Sequence, residues 1–327
     1  MYCLILIEKP LKIKNTLLLL LVFSFSCASV FSQQGKVDPT FNTYDDGLLG
    51  DGFDNTVRTL SVQDDGKLIV GGDFLNFNGV ATPYLCRLLP DGSKDASFFL
   101  GTGFNNKVYT SLLQPDGKIL VAGSFTQFNG TAVGRLVRLN PDGSRDSSFT
   151  ASPGATNSII YNMALQFDGS IFLVGSFTNF NGTTANRIVK ILPSGAVDTS
   201  FVVGSGASGL IEKVALQPDG KIIIGGGFSS FNGVSVGKIA RLNANGTLDA
   251  SFITGVGFDN NVSAIGIQSD GKIILGGSFT TFNGTAANRI LRINTDGTLD
   301  ASFASGTGFN SGAVETIKIN STGAIML

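Results

Sequence analysis

The chain has 327 residues, with 43 glycines, 26 phenylalanines, no tryptophan and no histidine, and a formal net charge of -1. A charge so near zero gives no electrostatic case for binding nucleic acid or an anionic membrane surface. The lack of histidine removes the commonest general acid–base group and a favoured metal ligand, so no cofactor or metal site is expected.

At the start of the chain, Lys9, Lys12 and Lys14 precede an apolar run over 17–25 and a small-residue end at Ser32. That order predicts a signal peptide over residues 1–32. The alternative is an uncleaved N-terminal anchor, the one route to a membrane, although the apolar core is short for a spanning helix. Residues 33–56 follow as an N-terminal segment, in which 37–41 reads as a lone outer strand of the kind that closes each later repeat. Removing the leader removes Cys3 and Cys27 and leaves Cys86. One repeat apart its position is filled by Val137, Val189, Ala240 and Leu291, so it reads as a core residue rather than a reactive thiol.

From residue 57 the chain repeats. The glycine of a Phe-Asn-Gly triplet recurs as Gly79, Gly130, Gly182, Gly233 and Gly284, at spacings of 51, 52, 51 and 51 residues. A fixed period of this length marks supersecondary units that bury their faces by stacking on neighbours. Each unit divides into four strand-like pieces. The first covers 57–63, 108–114, 159–166, 211–217, 262–268 and 314–320. It ends in a pair such as Asp116-Gly117, which suits a tight hairpin because glycine accepts positive φ without penalty.

The second piece is a glycine-ended apolar run, such as 67–74 or 221–228. It reads as buried on both faces, with its glycines placed for close approach of another backbone. The Phe-Asn-Gly triplet then turns the chain. Several copies, among them Asn129-Gly130-Thr131, match a glycosylation acceptor formally, but recurrence in most units favours turn geometry. The third piece carries one basic residue per unit: Arg87, Arg138, Lys190, Arg241 and Arg292. The fourth is an Asp-x-x-Phe strand beginning at Asp95, Asp146, Asp198, Asp249 and Asp300. Basic residue and aspartate are always eight apart across a turn, which predicts a structural ion pair repeated in every unit.

Four antiparallel strands in a unit of about 51 residues make the blade of a β-propeller, an all-β fold. Blades begin near 57, 108, 159, 211, 262 and 314. The expected architecture over 57–327 is five complete blades and a truncated sixth, and so an incomplete ring. Leu113-Gln114-Pro115-Asp116-Gly117-Lys118 and Arg138-Leu139-Asn140-Pro141-Asp142-Gly143-Ser144 resemble the consensus of the delta-60 repeat proteins, and the resemblance runs from Val37 onward. The glycine-ended strand is also similar to kelch repeats, whose later tryptophan and tyrosine are missing. The delta-60 resemblance implies a secreted or surface-exposed bacterial protein and supplies no catalytic residues.

The reading that follows is a non-catalytic interaction or scaffold module, secreted or at the cell surface, with an extracellular protein or a glycan as partner. A propeller enzyme acting on extracellular glycans is the first alternative. It would need carboxylates at one mouth of the channel, and Glu212 and Glu315 are among the few acidic residues that break the repeat. A carbohydrate-binding lectin is the second, weakened by the absence of tryptophan for stacking. Loops of the type Gly-Phe-Asn-Asn lead into the first strands. They nominate Asn55, Asn106, Asn157 and Asn260 for a shallow polar site at the channel mouth. The competing role for these asparagines is to end turns.

Overall fold

Each repeat opens with a six-residue inner strand: Val57–Val62, Val108–Leu113, Ile160–Leu165, Ile211–Leu216 and Val262–Ile267. The structure is a computed structural model and describes residues 40–43, 51–151 and 154–327. The segment read as a leader lies outside the described residues, as does all of the lone strand except Thr40 and Phe41.

The inner strand pairs antiparallel with a middle strand, for example Leu68–Gly72 or Ile222–Gly226, and this pairs with the next strand out, Leu85–Leu88 or Ile239–Leu242. The turn between inner and middle strands takes three residues, closed by Gly66 at φ 82° in blade 1. All five residues of each middle strand are buried in all five blades, as continuous apolar character predicts. The Phe-Asn-Gly triplet forms a small hairpin of its own. Asn76–Phe77 pairs with Val80–Ala81 around Asn78 and Gly79, whose φ values of 48° and 71° both lie in the left-handed region.

The outermost, fourth strand is reduced to a single bridge, Leu88 to Lys94 in blade 1, repeated in the other four blades. Its shortness has a side-chain cause. Asp95 Oδ1 accepts hydrogen bonds from the Ser97 amide at 2.9 Å and the Ser97 hydroxyl at 2.6 Å, which folds 95–98 into a turn instead of extending it.

Blades stack through apolar faces. Ile69 and Leu85 of blade 1 share one buried cluster with Val108, Val121, Phe125 and Phe128 of blade 2. Blades 2 and 3 and blades 3 and 4 are joined in the same way. Successive inner strands are neighbours, so they surround one axis. The sixth unit is a hairpin of Lys318–Ile319 with Ile325–Met326, seated on blade 5 through Val314, Ile317, Ala264 and Ile274. Each sheet keeps to its own blade among the described residues, and the assembly is an incomplete ring.

In blades 1, 2 and 4 one guanidinium ties the blade to the next. Arg138 Nε donates to Asp146 Oδ2 at 2.7 Å, its guanidinium lies 4.5 Å from the centre of the Phe149 ring, and its Nη1 donates to the Pro193 carbonyl of blade 3 at 2.7 Å. The corresponding ion pairs are Arg87–Asp95 at 2.8 Å, Lys190–Asp198 at 3.1 Å, Arg241–Asp249 at 2.7 Å and Arg292–Asp300 at 2.7 Å. Four of the five aspartates gain a second cation from the middle strand: Lys67, Lys118, Lys221 or Lys272. Blade 3 has Ser170 there, and its aspartate keeps Lys190 alone.

Candidate functional site at the axial mouth

The inner strands do not run straight. In every complete blade the pairing slips by one residue just after the strand begins: between Val57 and Thr59, Val108 and Thr110, Ile160 and Asn162, Ile211 and Lys213, and Val262 and Ala264. The extra residue of each bulge is Arg58, Tyr109, Tyr161, Glu212 or Ser263, and Glu315 occupies the same position in the sixth unit. A bulge re-aims the side chain it carries. Here five bulges at the start of five innermost strands gather unlike side chains around one axis, while the scaffold beneath them repeats.

Those side chains meet in sequence around the mouth. The Arg58 guanidinium lies 4.6 Å from the centre of the Tyr109 ring, and Tyr109 stands edge-on to Tyr161 with ring centres 5.2 Å apart. Arg58 also grips Asp73 with two bonds, Nε to Oδ1 at 2.5 Å and Nη2 to Oδ2 at 2.6 Å, and Lys107 Nζ adds a third at 2.8 Å. Asp73 is buried, which would raise its pKa, but the bonds from Arg58 and Lys107 outweigh burial and hold it below the usual carboxylate value. Arg58 is raised in turn, chiefly by that bond to Asp73, with smaller contributions from Tyr109 and Glu315.

The opposite arc is acidic. Asn261 Nδ2 of blade 5 donates to Glu212 Oε1 of blade 4 at 2.7 Å. Burial raises the Glu212 carboxyl, and the charge of Glu315 adds to the shift. Burial lowers the Lys213 ammonium, against the pull of Glu315 and then Glu212. Among the described residues the side chains of Lys213 and Glu315 make no hydrogen bond or ion pair. No group of three or more metal-ligating side chains occurs among the described residues.

The nominated asparagines lie at the same end of the blades. Asn55, Asn106 and Asn260 are three residues ahead of Arg58, Tyr109 and Ser263. All three are exposed, and each side-chain oxygen accepts the amide of the following residue at 2.7 or 2.8 Å. Asn157 occupies a different position. Its oxygen accepts the Thr178 amide at 3.2 Å, the bond made in the other blades by Asp54, Asn105, Ser208 and Asp259. The four are therefore not one ring of equivalent groups. The extra residue in blade 3, visible as the 52-residue spacing, moves Asn157 by one place. The bulged position differs in chemical kind among the units, reading Arg, Tyr, Tyr, Glu, Ser, Glu in chain order.

The sequence model of a beta-propeller domain of unknown function (DUF5122) matches residues 63–98, 114–149, 166–201, 217–252 and 268–303, together more than half of the chain. The chain belongs to this family. Each matched segment runs from the end of an inner strand to the phenylalanine of the Asp-x-x-Phe turn, so it covers the repeating scaffold and leaves out the bulged residue.

Solved propellers resemble this DUF5122 chain in fold. The WD40 β-propeller domain of Doa1 superposes with a TM-score of 0.51 at 14% identity, over 83% of this chain and 74% of that one. Virginiamycin B lyase from Staphylococcus aureus gives 0.43 at 15% identity, over 74% of this chain and 72% of that one. PorZ of Porphyromonas gingivalis, described as a surface component of the type-IX secretion system, gives 0.42 at 11%, over 68% of this chain and 31% of that one. No curated protein matches the sequence.

Proposed function

We propose that this DUF5122 propeller is a non-catalytic interaction module, displayed outside the cell, that takes its ligand at the axial mouth. The observation that carries the reading is the bulged column. Five blades repeat their core, turns and ion pairs, yet the bulged position is Arg in one blade, Tyr in two, Glu in one and Ser in one. Variable side chains on a repeated, rigid frame are the arrangement of a binding surface. The bonds made at the mouth, from Arg58 to Asp73 and from Asn261 to Glu212, hold and neutralise charge; none joins a nucleophile to a base. The order of basic, apolar and small residues over 1–32 supports export.

A second reading has an observation of its own. Glu212, raised by burial beside Asn261, has the environment of a general acid, and Glu315 is a second carboxylate near it. One slide printed with bacterial and host polysaccharides and with extracellular-matrix proteins, probed with the labelled full chain, separates the two readings. Binding without release of new reducing ends or unsaturated products from the same polysaccharides is the expected result. Product formation that disappears in Glu212→Gln replaces the binding module with an enzyme.

A further inference from the structure

The mouth offers hydrogen-bonding groups whose needs point in opposite directions. Lys213 is a donor without an acceptor, and Glu315 an acceptor without a donor, among the described residues. Glu212 has one oxygen engaged, by Asn261. Lys213 belongs to blade 4, and the charges of Glu315 and Lys318 on the sixth unit bear on it as well as that of Glu212 beside it. The strands of Tyr161 and Lys213 lie side by side, since the Val214 amide donates to Asn162 Oδ1 at 3.2 Å, and Tyr161 meets Tyr109 edge-on.

Charge narrows the ligand. An anion finds the strongest cation already spent, because Arg58 and Lys107 both hold Asp73. Lys213 is under the charges of both Glu315 and Glu212. A cation meets those carboxylates but also Lys213 and Lys318. A hydroxyl group is donor and acceptor at once, so a row of hydroxyls satisfies an ammonium and two carboxylates together without adding charge. A ring that carries such hydroxyls on its rim and C–H groups on its face also fits against tyrosine. Gly227 takes part in shaping the site. Other blades have Asp73, Ser124, Ser176 or Ser278 at its position, and a Cβ there would stand 3.2 Å from the Asn261 oxygen, pressing on the residue that holds Glu212.

We propose that the axial mouth is a carbohydrate site, which takes a neutral sugar ring against Tyr161 and bridges its hydroxyls between Lys213 and the carboxylates of Glu212 and Glu315. This rests on the reading of the protein as a binding module and names the class of its ligand. Tyrosine supplies the stacking surface for which tryptophan is absent.

Titration calorimetry of the full chain with cellohexaose, xylohexaose, mannohexaose and N-acetylchitohexaose tests it. At least one of these gives saturable binding. Tyr161→Ala and Lys213→Met each weaken that binding about tenfold, the loss expected when a ring contact or a charge-assisted hydrogen bond is removed. Phe167→Ser, at the fully exposed turn on the far end of blade 3, leaves it unchanged. Should Tyr161→Ala unfold the chain, Tyr161→Phe keeps the ring and retains binding while Lys213→Met still loses it. Sugar binding that survives both mouth substitutions overturns the site. Binding only to printed proteins or peptides overturns the carbohydrate and leaves the module standing; no binding to either class removes both.

Discussion

Gly226 shows how a single missing side chain sets the mouth. A Cβ at this position would run into the Leu210 carbonyl and lie 2.9 Å from the Glu212 amide, within the backbone of the bulge itself. Gly72, Gly123, Gly175 and Gly277 hold the same place against Thr56, Lys107, Ile159 and Asn261. The preceding position contacts a side chain instead, Val262 beside Gly225, and there Ala122 and Val174 replace glycine. Gly226→Ala should therefore cost about 1–3 kcal/mol, the usual range for an overpacked core, and Gly225→Ala less. Urea denaturation of the two variants checks the order, and equal losses would contradict it. Cys86 is a second residue-scale case. Burial pushes its thiol up to about 12, so Ellman's reagent should react with it only after unfolding.

At the scale of the blade, the stacking device is an arginine held by an aspartate, a ring and a neighbour's carbonyl. Arg87, Arg138 and Arg241 each reach the following blade, at Pro141, Pro193 and Thr295. Blade 3 departs from this pattern twice. Lys190 has no guanidinium fork to span aspartate and neighbour together, and Ser170 replaces the second cation. The junction of blades 3 and 4 thus lacks a charge-assisted bond that its counterparts have. Restoring both residues with Lys190→Arg and Ser170→Lys should raise stability by about 1–2 kcal/mol. A higher urea midpoint with unchanged slope is the expected result; a midpoint at or below that of the parent chain would show that the repeat does not gain from this bond.

At the scale of the whole molecule, the periodic features were legible in the sequence and the aperiodic ones were not. Fixed spacing located the blades, the hairpins and the five basic–acidic pairs, because each is a local pattern repeated. The mouth was only partly legible: Glu212 and Glu315 stood out as breaks in the repeat, but Arg58, Tyr109 and Tyr161 did not. A one-residue bulge decides which side chain faces the axis, and a slip in pairing leaves no mark on spacing within one strand. The repetition also makes one acid response collective. Burial would raise Asp95, but Ser97 and Arg87 bring it down from 3.8 to about 2, and Asp146, Asp198, Asp249 and Asp300 are lowered by the same kinds of partner. Between those pH values the unfolded chain binds more protons than the folded one, so stability is complete above the ordinary carboxylate value and falls as pH drops toward 2. Glu212 is raised and works in the opposite direction, but it is one group against five. Urea midpoints measured from pH 6 to pH 2 should stay level down to about pH 4 and then fall steeply. A profile that stays level to pH 2 would mean the buried aspartates are not held as anions by their partners.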